Sequence, residues 1–307
     1  MITSIFNKSK PINFVIVFFI LLLAFSVANV KPFLESVSVS FFFEKTAWFL
    51  VCYFTILLFN FIVVKNSLTK NNHFQILLFG LFFLMLPQSS LDGNVLMANI
   101  FVMFGLRRLL SLRTQIKMKK KLFDTAFWFA VATLFYFWAI LFFILIFTTL
   151  LLYTDNRVKN WIVPFAGLAT VLVISISASV VIYDNFFEII NLSTTTSYNY
   201  SNYNTMQYLI AITMLFSFGV WASIFYVKLV QKKKKTFRPS FKIVFIYVII
   251  AFVTAILSPQ KNGSEFLFLF APLAIIMGNY IESIKEKWFK ELFVSVLLVV
   301  PFLLLML

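Results

Sequence analysis

LFDTAFWFAVATLFYFWAILFFILIFTTLLL, residues 122–152, is one unbroken apolar run, and its reading decides the topology of the whole chain. As a single helix it extends roughly 46 Å at about 1.5 Å per residue. A hydrocarbon core about 30 Å thick takes about 20 residues, so the run is too long for one crossing and short for two full ones. The flanking cations choose between the readings. If the run is a helical hairpin that enters and leaves on one side, 23 of the 26 Lys and Arg residues fall on that side, and only Lys31, Lys45 and Lys261 fall opposite. A single crossing inverts everything downstream and splits the cations 12 to 14. The positive-inside rule selects the hairpin and makes the cation-rich side cytoplasmic.

Composition fixes the class. Of 307 residues 62% are apolar and only 12% charged, with a mean hydropathy of +0.96, more apolar surface than a soluble domain of this size can hide. The net charge of +15 is no nucleic-acid signature, because its cations lie in short clusters between apolar runs, where they orient segments and meet anionic headgroups. Cys52 is the only cysteine, which leaves no disulfide or thiolate metal site within the chain. Lys8, Lys10 and the apolar stretch to Ser26-Val27-Ala28 resemble a signal peptide, but in a polytopic chain the first span is expected to stay as an anchor.

The sequence predicts an all-α, polytopic transmembrane helix bundle forming a single integral membrane domain, 1–307. Its spans lie near 12–30, 46–64, 73–87, 94–110, the hairpin 122–153, 161–183, 206–228, 241–257, 265–282 and 290–307. That gives about 11 membrane segments with the N-terminus cytoplasmic, in a bacterial inner membrane. The largest outer connection, residues 184–204, is rich in Ser, Thr, Asn and Tyr; it suits hydrogen bonding to a sugar, or serves as a solvated connector. The sequons at Asn191 and Asn262 carry little weight. Small residues from Gly167 to Ser179 predict a helix packed closely on its neighbours.

The inner acids Asp155, Glu282, Glu286 and Glu291 are expected to pair with Lys and Arg, and Asp124 with Lys120 or Lys121. His73 has no second His and is expected to be an interfacial residue, not a metal ligand. No carboxylate is expected at mid-membrane, where ion-coupled transporters need one. The outer face carries the candidate chemistry. Its first loop holds Lys31, Glu35, Glu44 and Lys45. Phe33, Val37 and Phe41 recur there at i, i+4 and i+8, as in an interfacial helix, while the Ser36–Ser40 alternation suits a strand. The three outer cations run against the charge bias, so they either meet an anionic group such as a lipid-linked phosphate or snorkel to ordinary headgroups.

An acidic first outer loop, a hairpin followed by a short basic turn, and Ser264-Glu265-Phe266-Leu267-Phe268-Leu269-Phe270-Ala271-Pro272-Leu273-Ala274 together resemble the GT-C class of polyprenyl-phosphate-sugar-dependent glycosyltransferases. The usual Arg of that late motif is replaced here by Ser264 or Glu265. Over its full length the chain also resembles a functionally uncharacterised family of bacterial inner-membrane proteins of about this length, through NKSKPINF (Asn7 to Phe14) and RRLLSL (Arg107 to Leu112). The GT-C resemblance implies chemistry at the outer face. Glu35, or Glu44, would act as the catalytic base towards an acceptor hydroxyl. Lys31, Lys45 or Lys261 would offset charge on the departing lipid phosphate, with Gln260, Asn262 and Glu265 also in substrate binding. No metal or cofactor is implied beyond the lipid-linked sugar substrate; partners are membrane lipid, a lipid-linked glycan and other membrane proteins. The alternatives are a non-enzymatic scaffold of an envelope assembly and, third, a transporter or flippase.

Overall fold

The computed structural model describes residues 2–35, 38–153, 158–190 and 194–305, with residues 2 and 31–35 described by backbone alone. Lys31, Phe33, Glu35, Val37, Asp155, Arg157 and the Asn191 sequon therefore lie outside what is described of side chains. The helices in chain order are α1 (Ile2–Phe6), α2 (Pro11–Glu35), α3 (Val39–Lys65), α4 (Phe74–Met85), α5 (Gly93–Leu110), α6 (Met118–Phe135), α7 (Phe143–Leu152), α8 (Val158–Tyr183), α9 (Met206–Lys232), α10 (Arg238–Leu257), α11 (Leu267–Ser283) and α12 (Lys287–Leu304). Short 3-10 turns occupy Pro87–Ser90, Phe137–Phe142 and Ser264–Phe266, and no strand occurs among the described residues.

Seven segments are long and apolar enough to cross a bilayer, making this a multi-pass membrane protein: those within α2, α3, α5, α8, α9 and α10, and Ser264–Ser283. The four others expected from sequence differ. Phe74–Met85 and Phe137–Leu152 are shorter apolar helices, while α6 and α12 begin in lysines. The first loop is corrected too. α2 continues to Glu35 and α3 already begins at Val39, where Ser38 Oγ accepts from the Phe41 amide at 3.1 Å. Such a cap satisfies one of the orphan amides of a helix start, so Ser38–Ser40 opens a helix and is not a strand.

Contacts gather into two compact units. The first contains Met1–Gly93, Asn199–Lys232 and Lys261–Leu307. At its centre α4 and α11 run antiparallel and almost wholly buried. Phe270 meets Phe79, Phe82 and Phe83 at 5.4–6.1 Å between ring centroids. Eight residues further along α11, Gly278 lies against Gln75, and Asn279 Nδ2 donates to the Leu68 carbonyl at 2.9 Å. α2 lies parallel to α4, with Asn13 beside His73 and Val17 against Gly80.

One end of this unit thus gathers Phe6, Lys70–His73, Glu282 and the start of α12. Glu282 Oε1 accepts from the Lys70 amide at 2.9 Å and from Asn72 Nδ2 at 2.6 Å, closing the turn before α4, and its charge also reaches Lys290. Glu291 accepts from the Thr3 hydroxyl and amide. His73 is buried: its amide donates to the Phe6 carbonyl, its Nδ1 sits 3.1 Å from Asn13 Nδ2, and burial holds its pKa below the ordinary 6.5.

The second unit contains Asn94–Tyr198 and Lys233–Gln260, and it includes the decisive run. The chain turns at Tyr136, whose backbone is extended (φ −146°, ψ 106°). Phe129 then meets Phe142 and Phe143 at 6.1 Å; in one continuous helix, residues 14 apart would stand about 21 Å from each other. The returning strand of the hairpin ends beside its start: Tyr153 Oη lies 3.4 Å from Ser240 Oγ and Arg113 stacks over Phe237 at 4.3 Å. Asp124 pairs with Arg108 at 3.0 Å and not with Lys120 or Lys121, because α5 packs antiparallel against α6 and brings the guanidinium across. Lys121 Nζ instead donates to the Ser111 carbonyl and Thr114 hydroxyl, at 2.6 and 2.7 Å.

α8 lies along α6, and the small-residue stretch makes that approach possible. A Cβ at Gly167 would stand 2.9 Å from the Phe123 carbonyl oxygen and 3.1 Å from the Phe127 amide nitrogen. Backbone atoms cannot swing away, so any side chain must push the helices apart. Gly167→Leu should destabilise the protein by about 1–3 kcal/mol, the usual cost of overpacking, measured by thermal or denaturant unfolding in detergent. Leu172→Ala on an exposed face of the same helix should leave the midpoint near wild type.

Candidate functional site

At the end of the first unit away from His73 and Glu282, two 3-10 turns touch: Pro87–Ser90 after α4 and Ser264–Phe266 before α11. Their meeting follows from the antiparallel register of α4 and α11. Leu86 (φ −128°, ψ 72°) breaks α4, and Pro87 begins the next turn, where its missing N–H costs no hydrogen bond. On the other strand Gly263 (φ +93°) supplies a left-handed residue, a conformation that side chains with a Cβ adopt only at a cost.

Glu265 is fully buried here. Its Oε2 accepts from the Gly263 amide at 3.0 Å, while its Oε1 has no partner. The charge of Asp92, ahead of α5, reaches it. Lys261, also buried, has its Nζ 5.2 Å from the Tyr200 ring centroid, and desolvation holds its pKa below the ordinary 10.5. Asn262 Oδ1 accepts from the Ser264 amide and hydroxyl at 3.1 and 2.6 Å. Two further groups at this end are buried with no partner, Ser89 Oγ and Tyr203 Oη.

The Tyr- and Asn-rich connection before α9 covers the turn. Tyr208 Oη donates to the Asn262 carbonyl at 2.6 Å, Asn202 Nδ2 donates to the Lys261 carbonyl at 3.2 Å, and the Tyr203 ring sits between Tyr208 and Phe266 at 5.4 and 5.7 Å. Sequence reasoning marked the composition of this connection without its target. The only available signal was the placement of Tyr200, Tyr203 and Tyr208 directly ahead of a span.

Of the residues expected at the site, Lys261, Asn262 and Glu265 come together. Gln260 is exposed and belongs to the second unit, its carbonyl accepting from Ser258 Oγ at 2.7 Å. Glu44 is exposed and Lys45 partly exposed on the first turns of α3, with Lys45 Nζ 5.3 Å from the Phe41 ring centroid. The side chains of Lys31 and Glu35 lie outside the description. Among the described residues no three His, Cys, Asp or Glu side chains gather as metal ligands would.

A family of unknown function, DUF6427, matches residues 1–306. The chain belongs to the DUF6427 family. No curated protein and no solved structure matches it. The full-length resemblance to an uncharacterised membrane family is therefore to DUF6427, and what a DUF6427 chain does must be argued from its own residues. For the turn above, Gly263→Ala should cost more than Tyr208→Phe. The first forces a Cβ to φ +93° and within 2.9 Å of the Tyr208 ring, a left-handed penalty of about 1–2 kcal/mol; the second loses one hydrogen bond, about 0.5–1.5 kcal/mol. Unfolding midpoints of the two variants measure the difference.

Proposed function

We propose that this DUF6427 protein is a bacterial envelope protein of the inner membrane that transfers a sugar from a polyprenyl-phosphate carrier, as GT-C-like glycosyltransferases and polymerases do. The observation that carries the reading is Glu265, a carboxyl group with no exposure and one oxygen without a partner. Burying an ionisable group in a membrane bundle is expensive, and such groups mark functional sites by default. Oε1 is positioned to accept a sugar hydroxyl, and Lys261 to offset negative charge on the phosphate. In the reaction an acceptor hydroxyl oxygen bonds to the anomeric carbon as the bond from that carbon to the phosphate oxygen breaks. The phosphate leaves with the electron pair, and a carboxylate, Glu35 by its place in the first outer loop, takes the hydroxyl proton. Glu265→Gln should raise KM for the lipid-linked sugar and Glu35→Gln should abolish transfer, both at wild-type protein level, in an assay with protein in nanodiscs. Wild-type rates in both variants would remove the reading.

A second reading, a non-enzymatic membrane scaffold, is favoured by a different observation. The polar groups of the 261–265 turn are largely spent on Tyr208, Asn202 and the turn's own amides. A chain with no transfer activity, whose loss disassembles an envelope complex, would fit it.

Both readings put the lysine-rich ends in the cytoplasm, by the charge bias of membrane proteins. Cys52 is fully buried, so introduced cysteines report without background. Glu44→Cys in intact cells should react with an impermeant maleimide, and Lys234→Cys should react only after the membrane is opened. The reverse pattern would invert the topology.

A further inference from the structure

The first unit contains a cavity of about 540 Å³ walled by α2 and α3, inside the roughly 300–1,000 Å³ range of small-molecule sites. Leu22, Phe25, Phe42 and Phe49 give it an apolar wall. Ser26, Asn29, Lys45 and Thr46 break that wall, the Thr46 hydroxyl being spent on the Phe42 carbonyl at 2.8 Å. Asn29 is 7% exposed, its Nδ2 donates to the Phe25 carbonyl at 2.9 Å, and its Oδ1 has no partner. Lys45, nearly two turns inside the start of α3, also lines the cavity. An unmet buried acceptor is costly and is normally satisfied, and the ammonium in the same lining adds a positive charge.

An apolar trough with an amide oxygen and an ammonium at one end is the complement of an amphiphile: a hydrocarbon chain, a hydroxyl that donates, and an anionic group. We propose that the α2–α3 cavity is a binding site for one anionic phospholipid with a free headgroup hydroxyl, with the phosphate on Lys45, that hydroxyl on Asn29 Oδ1 and a chain along Phe25, Phe42 and Phe49. The site holds whether the protein is a transferase or a scaffold, since none of its residues belongs to the 261–265 turn.

Native mass spectrometry of the full chain, released from nanodiscs of phosphatidylcholine and phosphatidylglycerol in equal parts, tests this. Wild type should retain one phosphatidylglycerol in preference to phosphatidylcholine. Lys45→Gln should cut that retention about fivefold, the effect of removing one lysine–lipid contact worth about 1 kcal/mol. Ser26→Trp, which fills the cavity from an exposed position, should abolish it with an unchanged unfolding midpoint. Equal retention in wild type and both variants would overturn the proposal. So would equal retention of the two lipids, or a second copy of the chain held in place of lipid. Sugar transfer lost in Glu265→Gln with lipid retention intact would separate this site from the proposed reaction.

Discussion

The antiparallel contact of α4 with α11 is the constraint from which the first unit follows. Both helices are buried along nearly their whole length, so each must satisfy its ends within the protein. They do so with short polar devices. Asn279 reaches the Leu68 carbonyl and Glu282 takes the Lys70 amide at one end. At the other, a proline turn and a left-handed glycine bring Ser89 and Glu265 into neighbouring 3-10 turns. Apolar side chains set the register, since Phe270 sits among Phe79, Phe82 and Phe83, and the register then dictates which polar residues meet.

The second unit answers the same demand differently. Its hairpin turns at an aromatic residue with no glycine or proline to mark it, and aromatic stacking holds the two limbs together across the bend. The fit of α8 against α6 rests on the absence of a side chain at Gly167. Phe101 stacks between Trp128 and Phe135 on the opposite helix, at 5.7 and 5.4 Å. In hydrocarbon, where apolar contact gives no advantage over lipid, such close packing and a few hydrogen bonds carry helix association.

Much of this was legible beforehand because charge and hydropathy act over whole segments. Span positions from 94–110 to 265–282 agree with the helices to within a few residues, and cation asymmetry alone foretold that 122–152 doubles back. Pairings were not legible. Asp124 chose Arg108 over its sequence neighbours Lys120 and Lys121, and Glu282 took the Lys70 amide and Asn72 besides its lysine neighbour, because helix packing decides which donor arrives at the right distance. Glu265 looked like an edge residue from its position in the sequence, yet it is fully buried in the turn ahead of α11. Of the 11 membrane segments expected, seven are helices long and apolar enough to cross, because an apolar run alone does not tell a complete span from a short limb such as α7.

The brevity of α4 has one more consequence. Its 12 residues rise about 18 Å, some 12 Å less than a typical hydrocarbon core. A helix of that length cannot cross such a core by itself, and the buried turn Pro87–Ser90, which carries the chain on from its end towards Gly93, belongs to the protein interior and is not an exposed loop.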